Sequence, residues 1–158
     1  MADIKNINEM KDEQITDAGV LVIAGDGKII GFARKGNLKK LGLPAGKRKP
    51  GEKIIAAAKR ELLEEIGIEV EIDENEPIFV YQPDDKQQLG VEEYCATYIV
   101  SLPEKSTEVD LKVKDENDEG VSKGFGLWVT PKEFVASGNS AFEDYNTTLL
   151  KFAGLLEK

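Results

Sequence analysis

Three glutamates crowd one short stretch of the chain and limit what that stretch can be. Residues 46–68 read GKRKPGEKIIAAAKRELLEEIGI and place three carboxylates within five positions, at Glu61, Glu64 and Glu65. The alanines, leucines, lysines and glutamates predict a helix over residues 53–66 that ends at Gly67. Residues three and four apart share a helical face, so these carboxylates repel one another unless a cation neutralises them. Oxygen-only ligands indicate a hard divalent ion such as Mg²⁺ or Mn²⁺.

The composition narrows the chemistry that these carboxylates can serve. The chain has 158 residues, with no histidine and one cysteine, Cys95. Histidine bases, Ser-His and Cys-His nucleophile systems and His-ligated zinc are therefore excluded. Acid–base and metal chemistry must then rest mainly on carboxylates. Cys95 lies in an apolar run and is predicted to be a small core residue that forms no intramolecular disulfide.

The charge is distributed unevenly along the chain. The net charge of −9 argues against a general nucleic-acid-binding protein. Residues 34–53 nonetheless hold eight basic side chains against Glu52 alone, a local charge of +7. This segment is therefore either a solvated surface loop or a loop that faces phosphate groups.

Length and apolar content predict one domain and no membrane partner. The 158 residues match a single domain, 1–158, whose residues 1–14 form a flexible or strand-like extension. The chain is 41% hydrophobic, which is enough for a core. No apolar run approaches the length of a membrane span, and the N-terminus is too polar for a secretory signal. We expect a cytoplasmic monomer or homodimer.

Apolar runs separated by turn signals predict a sheet with helices on its faces. A hairpin is expected from residues 20–24 and 28–34, followed by an irregular loop at 35–52. Further strands are predicted at 68–72, 77–82, 94–102 and 124–130. A C-terminal helix that packs on the core is indicated by apolar residues at helical spacing: Phe142, Tyr145, Leu149, Phe152 and Leu156.

The spacing within residues 46–68 resembles the Nudix box, GX5EX7REUXEEXGU, in which U is apolar. Every specified position is met, by Gly46, Glu52, Arg60, Glu61, Leu62, Glu64, Glu65, Gly67 and Ile68. Seven fixed letters at roughly one chance in fifteen each give a coincidence on the order of one in 10⁸. The resemblance implies an α/β (α+β) fold with a mixed β-sheet sandwiched between helices and a loop-helix-loop catalytic motif.

The resemblance also implies a reaction and roles for the box residues. Nudix hydrolases cleave a nucleoside diphosphate linked to a group X, using Mg²⁺ or Mn²⁺, when water attacks a pyrophosphate phosphorus. Glu61, Glu64 and Glu65 are the implied metal-binding carboxylates, and the backbone carbonyl of Ala45 is a further implied ligand. The implied structural supports of the box are Gly46, Glu52 and Arg60. We expect Arg60 to pair with Glu52, because the loop can fold back across the start of the helix.

The catalytic base and the substrate contacts stay open at this point. The base is either a box glutamate, Glu61 or Glu64, or an acid that precedes a predicted strand: Glu92, Glu93 or Glu119. A base must reach the attacking water, and each acid outside the box is otherwise plain surface charge. We expect substrate phosphates to be attracted by Lys39, Lys40, Lys47 and Arg48. Tyr81 is a candidate for stacking on a base.

Two sequence features favour ADP-ribose or a nucleotide sugar as the substrate. Residues 44–46 read Pro-Ala-Gly, and Pro83 lies fifteen residues beyond Ile68; both resemble the branch that hydrolyses ADP-ribose. Leu43-Pro44 also suits small members that hydrolyse nucleoside triphosphates and sanitise the nucleotide pool. A third alternative is a Nudix-fold module that binds nucleotides without turnover, although such modules typically lose a box carboxylate. The chain has no EF-hand pattern.

Overall fold

The computed structural model describes residues 14–34, 41–73, 78–81, 93–111, 115–116, 122–136 and 143–156. The strands in these ranges are β1 (Ile15–Ile23), β2 (Ile29–Arg34), β3 (Leu41–Gly42), β4 (Ala45–Lys47), β5 (Ile78–Tyr81), β6 (Tyr94–Ser101), β7 (Asp115–Glu116) and β8 (Ser122–Val129). The helices are α1 (Ile54–Ile66), α2 (Pro131–Ala136) and α3 (Glu143–Phe152), with a short 3-10 helix at Ser106–Glu108.

The described strands form one mixed sheet in the order β5-β6-β1-β2-β8-β7. β1 runs parallel to β6, from the Ile15–Tyr94 pair to the Ile23–Ser101 pair, and the other pairs are antiparallel. Two short strands lie off this path, since β3 pairs with β2 and β4 pairs with β1. β1 is buried on both faces, as its apolar run requires of a central strand.

Side chains that alternate along β1 and β2 face two separate core clusters. The α1-side cluster comprises Ala18, Val20, Val22, Ile30, Phe32, Ala57, Ala58, Leu62, Ile66, Ile72, Tyr98 and Val100. The α3-side cluster comprises Leu21, Ile29, Ala33, Leu41, Leu43, Phe79, Val129, Phe134, Leu149 and Leu150. Helix α1 therefore covers one face of the sheet, while α2 and α3 cover the other. The predicted architecture, a mixed sheet between helices, is confirmed.

Helix α1 has the extent and the C-terminal end that its sequence predicts. It begins at Ile54, one residue later than expected, and ends at Ile66. Gly67 adopts a left-handed conformation with a φ of 83°, and its amide donates to the carbonyls of Leu62 and Leu63. A residue with a Cβ is strained in this conformation, so glycine is the fitting residue at this end.

The predicted hairpin is confirmed, but other details differ from the sequence-based expectations. Residues 68–72 form no strand; Ile72 is buried and Ile68 and Val70 pack on the α1-side cluster without ladder pairing. The loop at 35–52 contains β3 and β4, which are too short to leave a periodic pattern. Helix α3 ends at Phe152, so Leu156 packs on the α3-side cluster from beyond the helix. Cys95 is half-buried rather than a core residue.

No helix in the described part of the chain is both long enough and apolar enough to cross a membrane.

Candidate active site

The site is built where β4 lies against α1. A Cβ on Gly46 would fall inside the carboxylate of Glu61, so only glycine leaves room for that carboxylate against the strand. One residue earlier, the amide of Ala45 donates a hydrogen bond of 2.8 Å to Oε1 of Glu65. Glu65 is 8% exposed, and this bond satisfies one oxygen of its buried carboxylate. Strand β4 therefore positions two of the three glutamates.

Gly19 in β1 lets β4 approach closely, and sequence reasoning missed it. A Cβ at Gly19 would lie 2.6 Å from the Cβ of Ala45 and 2.7 Å from the carbonyl oxygen of Pro44. Gly19 pairs with Ala45 in the β1–β4 register, so any larger residue would push β4 away. The only signal in the sequence is a glycine within an apolar run, which also occurs for other reasons.

Arg60 ties the helix to the loop before it. Its Nε donates to Oε2 of Glu52 at 2.8 Å and its Nη2 donates to Oε1 at 3.0 Å, so the pair is bidentate. Nη2 also donates to the carbonyl of Lys47 at 2.9 Å, at the end of β4. The expectation that Arg60 pairs with Glu52 is confirmed.

The same guanidinium is the point on which two box carboxylates converge. Nη1 of Arg60 contacts Oε1 of Glu61 at 2.8 Å and Oε2 of Glu64 at 3.3 Å. The side chain of Glu61 is 13% exposed and that of Glu64 is 48% exposed, so the pair opens to solvent on the Glu64 side. One positive group therefore relieves the repulsion between residues three apart on α1.

These contacts shift two pKa values strongly. The hydrogen bond from Arg60, with another from the Lys49 amide, lowers the pKa of Glu52 from 4.5 to about 2. The bond to Glu52 likewise raises the pKa of Arg60. Both groups stay charged throughout the physiological pH range, so the strut between loop and helix is permanent.

The donor set at the β4–α1 junction fits a hard divalent cation. It offers carboxylate oxygens from Glu61, Glu64 and Glu65 and no nitrogen or sulfur ligand, which is the preference of Mg²⁺ and Mn²⁺. Within the described residues, no three acidic, His or Cys side chains are already arranged as a metal site. The reason is visible in the contacts, because Arg60 holds Glu61 and Glu64 while the Ala45 amide holds Glu65.

The structure places some of the other predicted residues near this junction. Lys47 is exposed at the end of β4, and the amide of the half-buried Arg48 donates to the carbonyl of Thr16. Glu93 immediately precedes β6, whose Cys95 pairs with Asp17, and Asp17 in turn pairs with Lys47. Glu93 and the basic pair thus lie at one end of the sheet. Tyr81 is described only as the backbone of β5, and Lys39, Lys40, Pro83, Glu92 and Glu119 lie outside the described residues.

Comparison with known proteins agrees with this architecture. The NUDIX domain model matches residues 14–149. Among curated proteins, none matches the chain. The C. elegans Ap4A hydrolase binary complex is similar with a TM-score of 0.62 and 14% identity, covering 87% of this chain and 98% of that one. The E. coli dihydroneopterin triphosphate pyrophosphohydrolase has a TM-score of 0.59 and 14% identity, covering 88% of this chain and 94% of that one.

A third similar structure is part of a longer protein. The bifunctional NMN adenylyltransferase/ADP ribose pyrophosphatase from Francisella tularensis has a TM-score of 0.59 and 18% identity, covering 87% of this chain and 40% of that one. At these identities the likeness shows a shared fold. The match of the domain model over most of the chain, together with the complete box, shows that the protein belongs to the Nudix family. This is a family of hydrolases that act on phosphoric anhydride bonds and generally use divalent metals.

Proposed function

We propose that this protein is a divalent-metal-dependent pyrophosphohydrolase that cleaves a nucleoside diphosphate linked to X, with ADP-ribose or a nucleotide sugar as the leading substrate. One observation carries the proposal. Glu61 and Glu64 converge on a single cationic nitrogen of Arg60 beside a glycine that leaves room for the Glu61 carboxylate. In a member of this family, carboxylates gathered on one helix face support the binding of a divalent cation. That cation would in turn neutralise the negative charge of the substrate's phosphates.

Each box residue has a part in this reaction. Glu61, Glu64, Glu65 and the Ala45 carbonyl are the groups that would hold Mg²⁺ or Mn²⁺. The bound ion supplies charge neutralisation for the pyrophosphate and a lowered pKa for the attacking water. Arg60 keeps Glu61 and Glu64 on one side of α1 through its fixed pair with Glu52. Gly46 lets the Glu61 carboxylate lie against β4.

Glu64 is the base that the geometry supports best. Its side chain is 48% exposed, against 13% for Glu61, so a solvent-derived water reaches its carboxylate more readily. Its contact with Arg60 is also the longer of the two, at 3.3 Å against 2.8 Å. Glu93 and Glu119 are the alternatives from outside the box. Lys39, Lys47 and Arg48 are proposed to attract the substrate phosphates, and Tyr81 to stack on a base.

The substrate preference rests on residues 44–46. Pro-Ala-Gly in place of Pro-Gly-Gly puts a methyl group close to Gly19, and this methyl group fits because Gly19 has no side chain. This form resembles the branch that hydrolyses ADP-ribose, and the Francisella structure carries that activity in its name. A nucleoside triphosphate is the second candidate, because Leu43 and Pro44 precede the box and the E. coli structure is named for a triphosphate substrate.

A substrate panel tests the proposal. The wild-type protein is assayed with Mg²⁺ against ADP-ribose, nucleotide sugars, dinucleoside polyphosphates and nucleoside triphosphates, and kcat/KM is compared. We expect the highest kcat/KM with ADP-ribose or a nucleotide sugar. A preference for triphosphates replaces the leading substrate with the second candidate, and no turnover of any substrate supports the binding module. The Lys47→Glu variant should raise KM and weaken its salt dependence; an unchanged KM excludes Lys47 from phosphate attraction.

A further inference from the structure

A bulge in β1 turns one carboxylate onto the face of the sheet opposite helix α1. The register between β1 and β6 shifts between Ile15 and Asp17. Ile15 packs against Ile54 of α1, and Ala18 lies in the α1-side cluster. Neighbouring residues of a strand face opposite ways, so Asp17 points away from α1, whereas without the bulge it would share the face of Ile15. Bulges next to active sites often re-aim a side chain in this way.

The carboxylate of Asp17 is held in place but keeps capacity for further hydrogen bonds. The hydroxyl of Thr16 donates to its Oδ1 at 2.8 Å. The carbonyl of Thr16 accepts a bond of 2.8 Å from the Arg48 amide, which anchors the bulge to the chain just after β4. An ionised carboxylate accepts about four hydrogen bonds. Asp17 is half-buried, so a ligand that comes from solvent can reach it.

The pairing of β1 with β4 places this carboxylate beside the box. Asp17 pairs with Lys47, and paired residues present their side chains on one face. The exposed Lys47 lies two residues, about 7 Å, along β4 from Ala45, whose carbonyl is a proposed metal ligand. In the other direction the chain leads back to Leu43, which is buried in the α3-side cluster. A substrate with its pyrophosphate at Ala45 therefore has room over Lys47 and Asp17, and none over Leu43.

We propose that the carboxylate of Asp17 accepts hydrogen bonds from the 2′- and 3′-hydroxyls of the substrate's nucleoside ribose, so that the enzyme selects ribonucleotides over deoxyribonucleotides. This inference rests on the proposed function, in which the pyrophosphate lies at the box. Asp17 is then a specificity-determining residue for that reaction. Of the substrates proposed above, ribose selection favours ADP-ribose and nucleotide sugars over deoxynucleoside triphosphates.

The choice of a ribose follows from the chemistry of the Asp17–Lys47 pair of positions. A carboxylate beside Lys47 repels phosphate groups, so its partner must be a part of the substrate that donates hydrogen bonds. The sugar next to the phosphate is such a part, since its two neighbouring hydroxyls are donors and a carboxylate is purely an acceptor. Acidic side chains bind ribose hydroxyls in this way in dinucleotide-binding folds.

The test measures binding without turnover. AMP, GMP, CMP and UMP contain no phosphoric anhydride bond, and each is titrated by calorimetry into the full-length protein with Mg²⁺, beside its 2′-deoxy form. Using all four bases makes the result independent of base preference. We expect the ribose form of the tightest-binding nucleotide to bind about tenfold or more tightly than its deoxy form, the effect of a hydrogen bond to a charged group. Asp17→Ala should bring the two affinities within about twofold of each other.

Two further variants complete the comparison. Asp17→Asn keeps the size and one acceptor oxygen, and its preference for ribose should lie between those of wild type and Asp17→Ala; it also serves if the alanine protein does not fold. Asp110→Ala is the matched control, because Asp110 is an exposed aspartate beyond the 3-10 helix. It should keep the wild-type preference.

Three results overturn the inference. The first is that wild type binds none of the four ribonucleotides, and the second is that it binds ribose and deoxyribose forms equally. The third is a preference that persists unchanged in Asp17→Ala. If both forms bind that variant more tightly by the same factor, the carboxylate acts only through its charge beside Lys47.

Parallel assays of ADP-ribose hydrolysis separate this inference from the proposed function. Turnover by wild type without any preference for ribose removes the role of Asp17 and keeps the pyrophosphohydrolase. A preference for ribose that depends on Asp17, without turnover of any substrate, removes the pyrophosphohydrolase and keeps the sugar contact.

Discussion

The two faces of the sheet hold their polar side chains in different ways. On the α1 face, the four box glutamates, Glu52, Glu61, Glu64 and Glu65, each accept a hydrogen bond from Arg60 or from a backbone amide. On the α3 face, Asn146 is only 1% exposed and has no partner among the described residues. The first arrangement holds charge in place before substrate arrives. The second leaves a donor and an acceptor unpaired among the described residues.

This difference predicts opposite outcomes for mutations on the two faces. Removing a partner on the α1 face leaves charged groups without compensation, which destabilises the protein. Removing the polar atoms of Asn146 leaves nothing unpaired. The four variants below test the contrast, starting with the one expected to have the largest effect.

Gly46→Ala should have the largest effect, because its Cβ would occupy the position of the Glu61 carboxylate. We expect kcat to fall about a hundredfold, as for a catalytic group displaced by about 1 Å, and the free energy of unfolding to fall by about 1–3 kcal/mol. Gly42→Ala is the matched control, since a Cβ there meets nothing within 4 Å. For each variant, steady-state kinetics gives kcat and urea unfolding gives the free energy of unfolding. Equal kcat in the two variants would contradict the account.

Arg60→Lys should have the second-largest effect. Lysine keeps the charge but cannot donate at once to Glu52, Glu61 and Glu64, so the bidentate fork is lost. We expect the free energy of unfolding to fall by about 2 kcal/mol and kcat to fall with it. Lys59→Arg, at an exposed position one residue earlier on α1, is the control and should match wild type. If both variants unfold at the wild-type urea midpoint, Arg60 is not a strut.

Asn146→Leu should stabilise the protein, whereas the two preceding variants destabilise it. Leucine is close to asparagine in size, and it removes a donor and an acceptor that have no partner in the described structure. We expect the free energy of unfolding of the ligand-free protein to rise by about 1 kcal/mol. Urea unfolding without nucleotide measures it. A loss of stability comparable to that of Arg60→Lys would mean that the amide is already satisfied in the ligand-free protein.

Glu52→Gln should give the smallest change, seen mainly in its pH dependence. The Glu52 pKa falls from 4.5 to about 2 on folding, so the charged carboxylate stabilises the fold above 4.5. That contribution is lost as the pH drops from 4.5 towards 2. The lowered pKa values of Asp26 and Glu133 are common to both proteins and cancel. The stability difference between wild type and Glu52→Gln should shrink over that window; a constant difference down to about pH 2 contradicts the shift.

The sequence was most informative where the relevant contacts are local. The helix-forming residues predicted α1, Gly67 predicted its end, and the loop before it predicted the Glu52–Arg60 pair, because all of these lie within the 22 residues of segment 46–67. The alternation of apolar and acidic residues at 68–72 predicted a strand, and that prediction is wrong. Ile72 is buried by packing on the α1-side cluster instead of by strand pairing. Periodicity reports which side chains are buried, and burial alone does not require a ladder of hydrogen bonds.

The contacts between distant segments could not be predicted. The bond between Ala45 and Glu65 joins residues twenty apart, and the close approach of Gly19 to Ala45 depends on how β4 pairs with β1. Nothing in the sequence distinguishes Asn146 from the other polar residues of an amphipathic helix. Only the packing of α3 on the sheet shows that it is buried, with no partner in the described part of the chain.

The most direct test of the central claim, that the carboxylates of α1 carry out pyrophosphate cleavage, is the rate of Mg²⁺-dependent AMP release from ADP-ribose in wild type and Glu64→Gln. Glu69→Gln is the control, because Glu69 is an exposed acid close to the same helix. We predict that Glu64→Gln loses about 10²- to 10⁴-fold in kcat, the range for loss of a catalytic base, while Glu69→Gln keeps the wild-type rate. Equal rates in all three proteins would show that the box carboxylates do not perform the reaction.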